Sequence, residues 1–429
     1  MEERKLGFVE MFATAIHEVF DCAGMILHIT KIKGPLTSEL LAAGLLSLQQ
    51  RQPLLRASTI SDEDGPYRYQ VSEVHSLHAS LLRVVKRESD NHWQSIADEE
   101  LAHDFNANSP FLWRFTFVEN EVSGGDHELL LTVHHAISDG ISVMRHSHDL
   151  LSFLQESFAG QLPQPKPLPL LPPIDAMLTI IKERPQPPAK VDLFRFPFEE
   201  HTPLAECRTR TLFTEVDAAS MQAFRSRCKQ EQSSLNAGLN AAFIWASYQK
   251  HKGDTDEANL TIGSAVNLRK ECQPEAAPDY FGCFATTLQT VHPINSHTRF
   301  WDLARHCHSE LKDSIATMQK GHLLPAEFNR IQVEKGMVGN KQNMGKDGFF
   351  FGGLLFSNLG RFDHPKEYGP FTIKEMYPSA HHAAGSYVLF PKVITLDNMC
   401  LATAYTEGLI SRESASSIVD AVVAIIQQE

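Results

Sequence analysis

His134-His135-Ala136-Ile137-Ser138-Asp139-Gly140 ends an apolar run, Leu129-Leu130-Leu131-Thr132-Val133, in two imidazoles and a polar turn. The run reads as a buried strand, and Ser138-Asp139-Gly140 as turn chemistry in which glycine frees the backbone at the corner. Ile141, Met144, His148, Leu151, Leu154 and Phe158 then recur at steps of three and four, which puts them on one face of a following helix. If the strand extends through both histidines, their side chains point to opposite faces and only one can reach a given small substrate or metal ion. Asp139 lies across the turn from His135, where a carboxylate could orient the imidazole or clamp the loop. Residue chemistry alone leaves two readings open: a site histidine, or a packed histidine with Asp139 capping a helix that begins at Gly140.

Working outward, a chain of 429 residues exceeds one ordinary core and predicts two domains. Its 42% apolar content is that of a globular protein, and no run of 18 apolar residues offers a membrane span. Glu10, His17, Glu18 and Asp21 interrupt the N-terminal stretch, so no signal peptide is expected and a cytoplasmic location is. Seven cysteines without CxxC spacing read as reduced, packed thiols. A net charge of -13 argues against nucleic acid or an anionic membrane as the main partner, and the chain is expected to be monomeric.

Proline marks the organisation. Eleven of the 23 prolines fall between Pro163 and Pro203, a stiff crossover linker with room for a short helix only at Ile174 to Lys182. This predicts a first half over 1–160, a linker over 161–205 and a second half over 206–429. In the first half, Met25, Leu27 and Ile29 alternate as a strand, and a helix runs from about Thr37 to Pro53. A hairpin turn is expected at Asp62-Glu63-Asp64-Gly65, and two strands, Trp113 to Glu119 and His127 to His135, flank Ser123-Gly124-Gly125-Asp126. In the second half a strand over Thr209 to Val216 precedes helices capped by Asp217 and by Ser233 or Ser234. Strands near Leu260–Val266, Ala285–Val291, Phe349–Phe356 and Leu401–Tyr405 supply a second sheet. Gly336 to Gly353 reads as a mobile loop. The last strand, Cys400 to Tyr405, enters a turn at Glu407-Gly408 before a closing helix; this is either an echo of the first corner or an unrelated connection.

The opening stretch resembles the HHxxxDG motif of the chloramphenicol acetyltransferase-like superfamily, which includes nonribosomal peptide condensation domains, alcohol acetyltransferases, plant BAHD acyltransferases and phthiocerol dimycocerosyl transferases. Four further stretches agree in order. Gln50-Arg51-Gln52-Pro53-Leu54-Leu55-Arg56 resembles the family's RHPLLR segment and Pro110-Phe111-Leu112-Trp113-Arg114 its PLWR strand start. Val266-Asn267-Leu268-Arg269 is similar to VNxR, and Phe356-Ser357-Asn358-Leu359-Gly360 to SNLG. The DFGWG signature of BAHD enzymes is absent, which places condensation-type and phthiocerol-transferase-type relatives closer.

The resemblance implies an α/β fold of two similar halves, a pseudo-dimer with a tunnel between them. It implies a stand-alone acyltransferase moving an acyl group from a phosphopantetheine thioester, on acyl-CoA or acyl carrier protein, to a small-molecule alcohol; an amine acceptor is the second choice. No cofactor beyond that donor and no metal is expected. His135 would be the general base, acting without a covalent enzyme intermediate. Asp139 would pair with Arg269, Gly140 would turn the chain, and His134 would support the site from behind. Ser357 and Asn358 are candidates to stabilise an oxyanion or line the tunnel, while the same strand reads equally well as core at a domain junction. A non-catalytic carrier-protein-binding module and an acyl hydrolase are the alternatives.

Other features carry less. His381-His382 lacks a following aspartate and reads as a loop or strand-start pair, with lining of the acceptor pocket as the lesser alternative. His146/His148 and His306/Cys307/His308 sit on expected helices, where side chains two residues apart diverge. Arg225, Arg227 and Lys229 form a basic helix face that could meet an acidic carrier protein or the phosphates of coenzyme A.

Overall fold

The computed structural model describes residues 2–20, 23–60, 67–105, 109–121, 125–180, 191–254, 256–321 and 330–428. The expected turn at residues 62–65, the first two residues of the turn at 123–126 and the end of the short linker helix lie outside them.

The first lobe opens with β1 (Glu2–Lys5), α1 (Phe8–Val19), β2 (Met25–Lys33) and α2 (Ser38–Arg51). Thr37 caps α2, its hydroxyl accepting from Leu40 N–H at 3.2 Å. Then follow β3 (Ala57–Ile60), β4 (Arg68–Val71), β5 (Leu82–Lys86), α3 (His92–Ala102), β6 (Trp113–Glu119), β7 (Asp126–His134) and α4 (Gly140–Phe158). Where it is described, the proline-rich stretch is extended before residue 174 and returns against the first lobe, with Leu168 N–H donating to the Arg51 carbonyl at 2.8 Å. It holds one turn of helix, α5 (Ile174–Met177). Beyond it Phe196 and Phe198 bury into the second core.

The second lobe contains β8 (Arg208–Val216), α6 (Ala218–Gln230), α7 (Leu235–His251), β9 (Glu257–Asn267), β10 (Ala285–Asn295) and α8 (Phe300–Met318). The caps of α6 and α7 are Asp217 and Ser234. Next come α9 (Arg330–Asn343), β11 (Leu354–Arg361), β12 (Glu367–Tyr368), β13 (Phe371–Ala380), β14 (Phe390–Thr395), β15 (Met399–Glu407) and α10 (Arg412–Gln428). Gly336 and Gly339 therefore sit in a helix, not in the loop that glycine content predicts. With open space where their Cβ atoms would lie, neither glycine is required by packing, and propensity was overridden by context.

Two six-stranded sheets carry the lobes, ordered β12-β13-β2-β7-β6-β5 and β10-β9-β11-β14-β15-β8. Within each, four strands repeat one topology. β5 runs parallel to β6, which is antiparallel to β7, which is antiparallel to β2. β11, β14, β15 and β8 repeat the same senses in the same order. In both, the first strand of the unit leads into a helix, α2 or α6, and the last into another, α4 or α10. The molecule is thus a pair of related α/β halves, each with its own buried core.

The halves are also laced together. Where α3 links β5 to β6, the equivalent link from β11 to β14 leaves its lobe, and β13 pairs with β2 across residues 372–380. Two strands of the 206–429 segment therefore belong to the first sheet. The sequence hides this because Lys374, Glu375 and Pro378 break the alternation of β13, although its last five residues are buried.

Candidate active site

β7 ends at His134, not His135. His135, Ala136 and Ile137 form a single 3₁₀ turn, so the two imidazoles diverge because the strand stops between them. The His135 backbone is tied to the preceding layer: its N–H donates to the Gly24 carbonyl at 2.8 Å, and Gly24 N–H donates to the His381 carbonyl at 3.1 Å. Gly24 holds φ +82°, a conformation that favours glycine, and a Cβ there would approach His135 Cβ.

His134 is 3% exposed, and its Nδ1 accepts from Ala136 N–H at 3.0 Å. That acceptor role fixes the neutral form with the proton on Nε2. The His17 ring packs against it at 4.5 Å. Burial, then the neighbouring His17 and His135, hold its pKa well below the ordinary histidine value. His134 is therefore a wall of the corner. His135 is only partly covered. Burial lowers its pKa, while backbone carbonyls and the Asp139 charge work the other way, leaving the imidazole neutral at pH 7.

Asp139 does not touch that imidazole through any of its four hydrogen bonds. Arg269 grips both of its oxygens, at 2.7 and 3.1 Å; Ser142 N–H donates to one at 2.8 Å and Phe284 N–H to the other at 2.9 Å. Burial opposes its charge, but the Arg269 guanidinium and these donors win, and the carboxyl titrates below the usual aspartate range. Both members are 2–3% exposed. The pair bolts the start of α4 to the β9–β10 hairpin of the other lobe, and Asp139 caps the helix as well. Gly140 meets Leu359 of β11, where a Cβ would come within 2.9 Å of the leucine Cγ.

The second lobe supplies what faces His135. Cys283 Sγ lies 3.4 Å from His135 Nδ1. Burial, with the Asp139 charge adding to it, pushes that thiol far up, so it stays protonated. A narrow pocket lined by Arg4, Glu10, Leu54, Tyr280, Cys283 and Phe284 opens beside it. Ser357 and Asn358 follow each other on β11 and so face opposite sides. Asn358 Oδ1 accepts from Gly360 N–H at 2.9 Å, which ties the amide to its own strand. Ser357 is the register partner of Lys392 on β14. Cys283 escaped sequence reasoning: it comes from a stretch without a motif, and the signal is spatial.

The remaining histidines scatter. His146 packs between Phe115 and Phe281, whereas His148 stacks on His364. Among the described residues, no group of three or more histidines, cysteines or acids is placed to hold a metal ion. Arg225, Arg227 and Lys229 are exposed on α6. No helix among the described residues is long and apolar enough to cross a membrane.

The family profile of the condensation domain matches residues 25–169, and that of the phthiocerol/phthiodiolone dimycocerosyl transferase C-terminus matches residues 207–383. The chain is similar to cyclosporin synthetase simA of Tolypocladium inflatum, 32% identical over 143 residues, which is 33% of this chain and 1% of that protein. It covers no more than 4% of the length of any of the curated synthetases it resembles. In fold it is similar to TRI3, the trichothecene 15-O-acetyltransferase of Fusarium sporotrichioides, with a TM-score of 0.74 at 12% identity over 99% of this chain and 94% of that one. Polyketide synthase associated protein 5 of Mycobacterium tuberculosis gives a TM-score of 0.66 at 16% identity, covering 99% and 98%.

Proposed function

We propose that the chain, matched by the condensation-domain profile over residues 25–169 and by the phthiocerol/phthiodiolone dimycocerosyl transferase C-terminus profile over residues 207–383, is a chloramphenicol acetyltransferase-like enzyme that transfers an acyl group from a phosphopantetheine thioester to the hydroxyl of a small molecule. The observation that carries this reading is the His135 imidazole, neutral, partly open and held at the seam of the lobes by Gly24 and the Asp139–Arg269 bolt. Cys283 faces Nδ1, which leaves Nε2 to work toward the substrate, with the Nδ1 proton directed at sulfur or at a backbone carbonyl.

The steps balance without a covalent enzyme intermediate. The acceptor oxygen attacks the thioester carbon as Nε2 takes its proton, and the carbonyl π pair moves onto oxygen. The pair then re-forms the carbonyl, the C–S bond breaks, and the imidazolium returns its proton to the thiolate. Such a base contributes about 10² to 10⁴ in rate. A protonated Cys283 is a poor nucleophile, which favours direct transfer over an acyl-thiol route. The synthetase relatives and the acetyltransferase-like fold point to natural-product assembly as the setting, with coenzyme A or a carrier protein presenting the donor.

Intact-product mass spectrometry tests the reading, using a panel of acyl-CoAs and acyl-loaded carrier proteins against alcohol and amine acceptors. Acyl transfer to an alcohol is the expected result. Release of free acid alone would make the protein a hydrolase, and a lack of turnover with every donor would make it a non-catalytic module.

A further inference from the structure

The second sheet has two faces, and its side-chain partners sort them. On β9 Ser264 Oγ accepts from Asn240 Nδ2 of α7 at 2.9 Å and Ile262 packs in the second core, so Gly263 and Ala265 look the other way. That other way is toward the first lobe. Asn267 continues the same side, and its Oδ1 accepts from Arg269 Nη1 at 3.4 Å, whose guanidinium grips Asp139. On β11 Phe356 packs in the second core, whereas Leu359 meets Gly140, so Leu355 and Ser357 also share the inner face. The antiparallel register sets Thr287 opposite Ala265 and Gln289 opposite Gly263, and residues so paired lie on one face.

This face begins at the imidazole. Cys283 Sγ lies 3.4 Å from His135 Nδ1; Ala285 then opens β10, and Thr287 and Gln289 follow at every second position. From Ala285 to Gln289 the strand advances about 13 Å. Along it the first lobe withdraws: Cys283 is buried, Ala285 and Ala265 are half-buried, and Thr287 and Gln289 are exposed. Gly263 keeps the strip low, since a Cβ there would come within 2.8 Å of Thr287 Cγ2 and 2.9 Å of Leu355 Cδ1. Glycine inside a strand often marks close approach by a ligand. None of these side chains is charged, and hydroxyl and amide groups alternate with small apolar residues. The narrow pocket on the other side of Cys283 is instead walled by the buried Arg4–Glu10 ion pair, at 2.6 Å.

We propose that this strip is the donor subsite: the pantetheine arm of the thioester lies along β10, its sulfur at the Cys283 end, with Thr287 meeting the first amide and Gln289 the second. The inference rests on the acyl-transfer reading and adds which wall carries the donor. Pantetheine is a slender, uncharged chain whose two amides are separated by a short apolar spacer. It therefore suits a neutral strip that offers polar groups at two-residue spacing. Its charged phosphate end leaves the strip where Gln289 reaches solvent.

The test presents one acyl group, with the acceptor found by the mass-spectrometric panel, on three donors of increasing reach: acyl-N-acetylcysteamine, which has a single amide, acyl-pantetheine and acyl-CoA. Gln289→Trp fills the strip beyond the first amide. The ratio of kcat/KM for acyl-pantetheine to that for acyl-N-acetylcysteamine should fall about tenfold, as the loss of one hydrogen bond would produce, and acyl-CoA should follow acyl-pantetheine. Thr287→Val removes the hydroxyl nearer the sulfur and should lower kcat/KM about three- to tenfold with all three donors. Both positions are exposed, so Tm should hold. A readout without turnover is the Thr287 methyl resonance, which free pantetheine should shift in the unsubstituted protein and, in Gln289→Trp, only at higher concentration. An unchanged donor ratio in folded Gln289→Trp overturns the proposal. So does a rise confined to the KM of the acceptor, which assigns the strip to the other substrate, and so does a Thr287 resonance that pantetheine leaves unmoved. Absence of turnover in the unsubstituted protein with every donor is a different failure, that of the acyl-transfer reading, and takes this proposal with it.

Discussion

The corners at β7–α4 and β15–α10 are built on one plan and differ in what they bury. Both end a central strand flanked by equivalent neighbours and lead into a helix. In the first, the capping residue Asp139 is buried and clamped by Arg269 from the other lobe. In the second, exposed Glu407 pairs with half-covered Arg210, and the cap is the hydroxyl of Ser411, which accepts from Ser414 N–H at 3.1 Å. The first corner points into the seam between halves, where a partly covered imidazole has a protein wall around it. The second lies within its own lobe, with Glu407 exposed and Leu409 and Ile410 buried in the second core. Repetition of the fold therefore supplies two scaffolds, and the seam decides which of them can hold chemistry.

If that contrast is right, Asp139→Ala should be the most damaging change outside the imidazole itself. It strands a buried guanidinium and removes a cap, a loss of about 3 to 5 kcal/mol that denaturant unfolding will register as a lower midpoint. The comparison breaks if the midpoint holds.

Acid should find the lobes unequal. His28 and His146, in one buried cluster of the first lobe with Ser147, are held down to about 3 by burial and His148 to about 4, while His292 and His382 in the second are held to about 3. A folded-state pKa below the unfolded value of about 6.5 means that their contribution is complete above that pH and is lost as pH falls from there toward 3. Each adds up to about 1.4 kcal/mol per pH unit to the slope. Thermal unfolding between pH 7.5 and 5 should show Tm falling with pH, and replacing His28 with Gln should flatten the slope. A flat profile in the unsubstituted protein contradicts the burial of these neutral rings.

The two corner glycines sharpen the contrast on a smaller scale. Gly140→Ala drives a Cβ against the Leu359 side chain, overpacking worth about 1 to 3 kcal/mol, and because it wedges the lobes it should also reduce activity. Gly408→Ala places a side chain at φ +96° beside Thr202, and should lower stability by about 1 to 3 kcal/mol without altering the kinetics of the remaining folded protein. Equal kinetic effects from both would dissolve the distinction. Smallest of all, Glu407→Gln should change stability by no more than about 1 kcal/mol in double-mutant cycles with Arg210, as exposed pairs do.

Much of this was legible in the sequence where the signal is local. Thr37, Asp217 and the Ser233-Ser234 pair announced their helices through cap chemistry, with Ser234 the cap in the structure, and the apolar run before His134 marked β7. The order of the motif-like stretches carried the family. What was not legible depends on distance along the chain. β13 joins the first sheet from the far side of the second lobe, its pattern broken by Lys374, Glu375 and Pro378. α9 forms through glycines that read as loop. The strand stop between His134 and His135 is a local detail that residue identity does not encode. Cys283 reaches His135 from 148 positions away, and only the packed fold shows them together.

The central claim is that the first corner does proton transfer. The most direct measurement is thioester turnover by purified His135→Ala beside the unsubstituted protein, with unfolding curves for both. A matching unfolding curve and a rate lowered at least about 10²-fold is the expected result; turnover equal to that of the unsubstituted protein would contradict the account.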